Sequence, residues 1–92
     1  MSQTAYERGY RFEDRVRKHL EGQGWYVIRS GGSKKAADLI AGRGGEIMLI
    51  QCKTDGIIST NERQQLKAVA AEFGGTPMLA YRQGCKLIME VT

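Results

Sequence analysis

The first apolar residues of the chain recur at helical spacing. Phe12, Val16 and Leu20 are four residues apart, which places them on one face of a helix. Thr4, followed three residues later by a glutamate, fits a capping box at the start, and two glycines soon after Leu20 provide a stop. The pattern therefore predicts an amphipathic helix over about residues 5–21.

The middle of the chain is rich in apolar and β-branched residues, which favour strands. We expect three strands, over about residues 25–29, 37–42 and 46–53, with a glycine-containing loop over residues 30–35. The run EIMLI at 46–50 does not alternate between apolar and polar residues. The third strand is therefore expected to be central in its sheet and covered on both faces.

The last third changes from helix to strand. Ser59, followed three residues later by a glutamate, forms a second capping box and predicts a helix over about residues 60–73, which Gly-Gly-Thr-Pro then ends. Two strands follow, over about residues 77–82 and 86–91, with a turn at Gln83-Gly84. The order αβββαββ predicts an α/β fold in which helices flank a mixed central sheet.

Length and composition fit a single small domain over residues 1–92. The hydrophobic content of 41% is enough for one core. The sequence shows no secretory signal and no apolar run near the ~20 residues that a membrane span needs. We therefore expect a soluble, cytoplasmic protein with no membrane partner.

Apart from the arginine and glutamate that flank the turn, three polar residues interrupt the two apolar strands that surround Gly44-Gly45. If these glycines form a two-residue hairpin turn, Asp38 lies directly opposite Gln51, and opposed residues share a face of the sheet. Lys53 is two residues further and joins the same face. The three groups therefore converge where the strands end. The simplest alternative is a strand that merely becomes exposed to solvent at its end.

A fourth polar residue favours a functional interpretation. Glu13 lies beside the apolar stripe of the first helix and can reach the strand ends. An acid at a core boundary is costly unless it is paired or bound to a cation. Two carboxylates and an amide oxygen from Glu13, Asp38 and Gln51 suit Mg²⁺, which prefers oxygen ligands. Lys53 beside such an ion can orient water or stabilise charge on a phosphate.

The basic residues point to a polyanionic partner. The net charge is +4, and residues 1–53 hold ten Lys and Arg against six Asp and Glu, whereas residues 54–92 hold four of each. Basic side chains follow one stripe of the first helix and flank the Gly-Gly loop: Arg8, Arg11, Arg15, Lys18, Arg29, Lys34 and Lys35. Each one alone is more simply a solvated surface residue. Together, around an acidic centre, they resemble a track for a phosphodiester chain.

The remaining chemistry is limited. His19 is the single histidine, which removes most zinc chemistry and most histidine-assisted nucleophilic catalysis. Cys52 and Cys85 have neither metal-ligand spacing nor a disulfide framework, and we interpret both as buried thiols in strands.

Three stretches carry a family resemblance. RGYRFE at 8–13, GWYVIRSGGSKKAADLIA at 24–41 and LIQCK at 49–53 resemble the archaeal-type Holliday-junction resolvases of the PD-(D/E)XK nuclease superfamily, with its restriction-endonuclease-like core. The resemblance covers roughly residues 5–80. It implies a homodimeric, Mg²⁺-dependent endonuclease, with Mn²⁺ as a substitute ion. Such an enzyme cuts two strands of like polarity at a four-way DNA junction, by paired symmetric nicks, in DNA recombination and repair.

The resemblance also assigns roles to individual residues. Glu13 and Asp38 would be metal-ligand acids, Gln51 takes the place of the family's second strand acid, and the Cys52 backbone carbonyl would be a further ligand. Lys53 would be the catalytic lysine. Ser33 would assist catalysis, and the DNA contacts would come from Arg8, Arg11, Arg15, Arg29, Ser30, Gly31, Gly32, Ser33, Lys34 and Lys35.

The sequence departs from the family pattern in ways that leave alternatives open. Gln51 keeps an oxygen but lacks the charge of an acid, Ala37 replaces a proline, and the Lys35–Asp38 stretch has one added residue. A second hypothesis is a nicking or restriction-like nuclease of the same superfamily. A third is a DNA-binding module without catalysis, against which the central acids argue because they repel phosphate.

Overall fold

The fold is a five-stranded mixed sheet with one helix on each face. This computed structural model describes residues 4–30 and 36–92, apart from the side chains of residues 5 and 6. The elements are α1 (Ala5–Glu21), β1 (Tyr26–Arg29), β2 (Leu39–Arg43), β3 (Glu46–Cys52), α2 (Thr60–Phe73), β4 (Thr76–Gln83) and β5 (Lys86–Val91). The predicted order αβββαββ is confirmed.

The two helices begin and end where the capping signals place them. The Thr4 hydroxyl accepts a hydrogen bond from the Glu7 backbone N–H at 3.1 Å, and α1 ends at Gly22. At the start of α2, Ser59 and Glu62 form a complete capping box. Both predicted helix ranges are therefore confirmed, because side-chain oxygens accept the amide hydrogens that a helix start leaves unpaired.

The strands occur in the order β1-β2-β3-β4-β5, and only the β3–β4 pair is parallel. β3 is central, as predicted. Ile50 packs in the cluster under α1, whereas Leu49 packs in the cluster under α2. Successive β3 side chains therefore face opposite helices, which explains why the strand is apolar on both faces.

Two cores hold the layers together. On one face the α1 stripe of Phe12, Val16 and Leu20 packs against β2 and β3. On the other face Leu66 and Ala70 of α2 pack on the sheet. No helix among the described residues is long and apolar enough to cross a membrane.

Some sequence predictions are wrong in detail. β1 begins at Tyr26 because the Trp25 backbone N–H donates to the Leu20 carbonyl and closes the end of α1. The last turn is one residue later than predicted, since Gln83 pairs with Lys86 and leaves residues 84 and 85 as the turn. Cys85 is therefore exposed rather than buried in a strand.

Candidate active site

The β2–β3 hairpin brings Asp38 to the site. Gly44 and Gly45 have φ angles of 57° and 87°, and Arg43 pairs with Glu46, so the predicted two-residue turn is confirmed. The register pairs Leu39 with Ile50 at the start of β2. Asp38 lies directly before β2, and its N–H bonds to the same Ile50, so the regular pairing predicted to set Asp38 opposite Gln51 does not extend to this position. Glycine is needed at this turn because both central residues have positive φ.

Asp38 is fixed by two hydrogen bonds to β3. Its backbone N–H donates to the Ile50 carbonyl at 2.8 Å, and its Oδ2 accepts from the Cys52 backbone N–H at 2.8 Å. The pKa of Asp38 is raised, chiefly because the carboxyl group is partly buried. The hydrogen bond from Cys52 and the positive charge of Lys53 lower this pKa, and the negative charge of Glu62 raises it. The carboxylate is therefore held in one orientation in an environment that favours a nearby cation.

Glu13 approaches from α1. Its side chain is half-buried beside the core residue Phe12. Burial raises the pKa of Glu13, the negative charge of Asp38 raises it further, and the Arg29 guanidinium opposes both. Because the charge of Asp38 changes the pKa of Glu13, the two carboxylates belong to one electrostatic site, although they come from different elements.

Asp14, the next residue along α1, has its own partners. Its carboxylate lies 2.6 Å from Nη2 of Arg17 and 3.0 Å from Nζ of Lys18. The hydrogen bonds to these two cations lower the pKa of Asp14. The two adjacent acids therefore differ, although Arg29 lies 3.8 Å from both. Asp14 belongs to a surface ion-pair cluster, whereas the pKa of Glu13 responds to the charge of the half-buried Asp38.

Lys53 follows directly after β3. Its Nζ lies 2.7 Å from Oε2 of Glu62 in the first turn of α2. Gln51, two residues earlier, is half-buried. Side chains two positions apart on a strand share a face, so Gln51 lies on the α2 face of the sheet, as Leu49 does. Sequence analysis assigned Glu62 to the capping box and missed its contact with Lys53, because no local pattern reports a pairing across the β3–α2 connection.

The donor set fits an ion that prefers oxygen ligands. Two half-buried carboxylates, Glu13 and Asp38, have raised pKa values and repel each other, and Gln51 can add an amide oxygen. Within residues 4–30 and 36–92, no three side chains of Asp, Glu, His and Cys lie close enough to hold a metal. A metal would therefore have two carboxylates at most, with the amide, a backbone carbonyl and water as the remaining ligands.

Arg29 extends the site toward the glycine-containing loop. Its Nε lies 3.8 Å from Oε1 of Glu13, and its guanidinium carbon is 4.2 Å from the centroid of the Tyr10 ring. In the part of the chain that the structure describes, its Nε and Nη2 are buried without a hydrogen-bond partner. Two unpaired donors beside an acidic centre suit a phosphate oxygen.

The predicted loop contacts are only partly described. The Ser30 hydroxyl donates to the Ala37 carbonyl, and its backbone N–H donates to the Asp38 carbonyl at 3.0 Å, which ties the start of the loop to the site. The remaining predicted loop residues, Gly31, Gly32, Ser33, Lys34 and Lys35, lie outside the described residues.

A basic cleft runs between α1 and the end of β4. It measures about 480 Å³ and is lined by Arg8, Arg11, Phe12, Arg15, Thr54 and Arg82. Nη2 of Arg15 donates to the Cys85 carbonyl at 2.7 Å, which links α1 to the β4–β5 turn. The structure thus brings together the three predicted arginines of α1. It adds Arg82, which the sequence analysis missed because Arg82 is 67 positions away from Arg15 in the chain.

An apolar groove lies on the opposite face, between α2 and β2. It measures about 590 Å³ and is lined by Ser30, Ala36, Ala37, Ile40, Leu49, Gln65, Ala68, Val69 and Phe73. Phe73 is 50% exposed and Ile28, which pairs with Ile40, is 54% exposed. The α2 face therefore carries apolar side chains that the fold leaves uncovered.

Comparisons with known proteins agree with this arrangement. A profile described as archaeal Holliday junction resolvase (Hjc) matches residues 4–91. The crossover junction endodeoxyribonuclease Hjc of Methanocaldococcus jannaschii is 41% identical over 81 residues, which are 84% of this chain and 60% of that protein. The chain thus spans less than two thirds of that relative's length. A 1.6 Å structure of Archaeoglobus fulgidus Hjc, a Holliday junction resolvase from an archaeal hyperthermophile, matches with a TM-score of 0.83 at 25% identity over 90% of this chain and 76% of that one.

Proposed function

This chain belongs to the archaeal Holliday junction resolvase family, and we propose that it is a metal-dependent endonuclease that resolves four-way DNA junctions by paired, symmetric nicks. One observation carries the proposal: the charge of Asp38 raises the pKa of Glu13, the charge of Lys53 lowers that of Asp38, and Thr54, directly after Lys53, lines a basic cleft. Carboxylates in the middle of a phosphate-binding surface repel the substrate unless a cation lies between them. The protein is expected to act in the cytoplasm.

Membership of a resolvase family implies a divalent metal, and we propose Mg²⁺, with Mn²⁺ as a substitute. Glu13, Asp38 and Gln51 would hold it, together with the Cys52 carbonyl. When bound, the ion polarises the scissile phosphate and lowers the pKa of a coordinated water. The protein's own contribution is to fix Asp38 through the Cys52 N–H and to place the Lys53 ammonium beside the carboxylates. The ammonium can orient the attacking water or stabilise charge on the phosphate.

The DNA backbone would follow the basic cleft to this site. Arg8, Arg15 and Arg82 reach it from α1 and β4, and Thr54 lies directly after Lys53 in the chain. Arginine binds phosphate oxygens with paired N–H donors, which fixes position without reading the base sequence. Arg29 would add a phosphate contact beside Glu13, since its buried Nε and Nη2 make no hydrogen bond among the described residues and lie 3.8 Å from the carboxylates of Glu13 and Asp14. The predicted loop contacts over residues 30–35 belong to the same proposal.

A homodimer would match the symmetry of a junction. A two-fold dimer presents two identical active sites to a substrate that itself has near two-fold symmetry. The exposed apolar side chains of the α2 face support such an assembly: Phe73 borders the groove, and Tyr26 and Ile28 extend from the adjoining strand with exposures of 75% and 54%. Continuous apolar surface of this kind is typical of a protein interface.

A cleavage assay tests the proposed function. The protein is given an immobile four-way junction, a linear duplex with the sequence of two arms, and a single strand, each with Mg²⁺ or with EDTA. Symmetric nicks in the junction that require Mg²⁺, with the linear duplex intact, are the expected result. Cutting of the linear duplex would favour a nicking or restriction-like nuclease instead. Tight junction binding without cleavage under any metal condition would favour a DNA-binding module.

A further inference from the structure

We propose that Glu62 is a positioning residue for Lys53, holding from α2 the ammonium of the predicted catalytic lysine. This inference rests on the proposed nuclease function. It concerns a residue outside the family motif, in the first turn of α2.

The two oxygens of the Glu62 carboxylate are both engaged. Oε1 accepts from the Ser59 backbone N–H at 3.2 Å, and Oε2 lies 2.7 Å from Nζ of Lys53. The Ser59 hydroxyl in turn accepts from the Glu62 backbone N–H at 3.1 Å. The capping box therefore fixes the carboxylate against the helix start, and the carboxylate then fixes the lysine.

The backbone of Lys53 is equally well held. Its N–H donates to the Ala80 carbonyl of β4 at 2.9 Å, and its carbonyl accepts from the Gly56 N–H at 2.9 Å. What stays adjustable is the side chain, a compact charge on a flexible four-carbon stem. An ion pair to a rigid carboxylate removes that freedom before substrate binds, and preorganised charge is what an active site requires.

The exposure of the pair argues for orientation rather than for stability of the fold. The Lys53 and Glu62 side chains are 29% and 41% exposed. Ion pairs at this exposure contribute little to folding because water and salt screen them. The contact is therefore better explained by what it does to Lys53 than by what it adds to the fold.

The charge of Glu62 also affects Asp38, one of the proposed metal ligands. It raises the pKa of Asp38, while the hydrogen bond from Lys53, followed by that from the Ser59 backbone, lowers the pKa of Glu62 itself. Glu62 is thus a persistent anion within the electrostatic field of Asp38. Gln51 is neutral, so among the described residues the carboxylate that pairs with Lys53 comes from Glu62 on α2.

The test compares three variants with the wild type. Glu62→Gln retains an oxygen that can accept from the Ser59 N–H but loses the charge. Glu72→Gln removes an equivalent charge from the exposed surface of the same helix and is the matched control. The double variant Glu62→Gln/Gln51→Glu returns a carboxylate beside Lys53 from the strand. Single-turnover cleavage of the four-way junction and junction affinity are measured for each.

Glu62→Gln is expected to lower the cleavage rate about 10- to 100-fold, the range typical of residues that orient groups at a metal centre. Junction affinity should stay unchanged, Glu72→Gln should cleave as wild type, and the double variant should recover most of the loss. Wild-type cleavage by Glu62→Gln would overturn the inference. A loss that the double variant does not restore would reduce Glu62 to a helix cap.

A measurement independent of cleavage separates this inference from the proposed function. The rate at which an acylating reagent labels Lys53 is followed by mass spectrometry in the wild type and in Glu62→Gln. We expect labelling to become several-fold faster in the variant, because the ammonium is released from its partner. An unchanged rate would overturn the positioning role even if the enzyme cleaves junctions. A wild-type protein that cleaves no DNA in the parallel assay would overturn the proposed function, and with it the role of Glu62 in catalysis.

Discussion

The side-chain carboxylate of Asp38 accepts a 2.8 Å hydrogen bond from the backbone N–H of Cys52 on the neighbouring strand. Asp38 is thus joined to β3 through its side chain as well as through its own N–H, which donates to Ile50. One carboxylate oxygen is held by the backbone, and this fixes the direction of the other. The geometry of the candidate site therefore depends on the strand register that the Gly44-Gly45 turn sets.

Gln51→Glu should strengthen metal binding. The variant adds a negative charge at the position whose amide oxygen we propose as a metal ligand, and a divalent cation binds a carboxylate more tightly than an amide. We expect the Mg²⁺ concentration for half-maximal cleavage to fall by about tenfold, the scale of one added favourable contact of ~1.4 kcal/mol. The measurement is a Mg²⁺ titration of junction cleavage at constant ionic strength. An unchanged midpoint would show that residue 51 does not contact the metal.

Arg82→Ala should weaken junction binding without changing the chemistry. Arg82 lines the basic cleft with the arginines of α1. Loss of one phosphate contact lowers the slope of log affinity against log salt by about one. Fluorescence anisotropy over a range of salt concentrations measures this slope. Lys67→Ala is the matched control, since Lys67 is exposed on α2, on the opposite face of the sheet. Equal slopes for Arg82→Ala and the wild type would remove Arg82 from the DNA track.

Glu13 should make the metal-free protein less stable as the pH rises. Its pKa is raised in the fold, first by burial and then by Asp38. Its contribution to the free energy of unfolding is thus fully present below the usual pKa of 4.5 and is lost as the pH passes through the raised value. At neutral pH in EDTA, Glu13→Gln should have the higher free energy of unfolding, with the difference vanishing in acid.

Urea unfolding over a pH series measures this effect. Added Mg²⁺ should stabilise the wild type more than Glu13→Gln, because an ion that binds the folded state shifts the unfolding equilibrium. Glu72→Gln serves as the exposed-acid control. A Glu13→Gln protein that is less stable than the wild type in EDTA at neutral pH would show that Arg29 outweighs burial and the charge of Asp38.

Phe73→Glu should disrupt the proposed homodimer. Phe73 is half-exposed at the apolar groove of the α2 face, and a buried charge at an interface core is strongly unfavourable. Light scattering coupled to gel filtration should give twice the 10.2 kDa chain mass for the wild type and the single mass for the variant. Val91→Glu alters an exposed apolar residue on the α1 face, which pairs with Met78, and should stay dimeric. A monomeric wild type at micromolar concentration would contradict the assembly.

The parts of the structure that sequence predicts well are those fixed by local signals. Ser59 and Glu62 specify the start of α2 through a capping box, and Gly44-Gly45 specify a hairpin whose register pairs Leu39 with Ile50 and brings Asp38 beside the end of β3. These features depend on residues that are close along the chain or joined by a turn of defined length. The prediction therefore follows from backbone geometry alone.

The parts that sequence misses depend on contacts between distant segments. Arg82 reaches the cleft of α1 because β4 is parallel to β3, a pairing that no short motif encodes. Cys85 was wrongly placed in a strand because a shift of the turn by one residue exchanges buried and exposed positions. The partner of Lys53 depends on how the connection after β3 folds back toward α2.

The measurement that tests the central claim most directly is junction cleavage and junction binding by Asp38→Asn. The asparagine oxygen can still accept the hydrogen bond from Cys52, so the hairpin is preserved while the charge is lost. We predict a loss of cleavage of at least about 100-fold in Mg²⁺, since metal ligation contributes several kcal/mol to such reactions. Binding measured in EDTA should be equal or tighter, because one charge that repels phosphate has been removed. An Asp38→Asn protein that cleaves the junction at the wild-type rate would contradict the assignment of this carboxylate pair as the nuclease site.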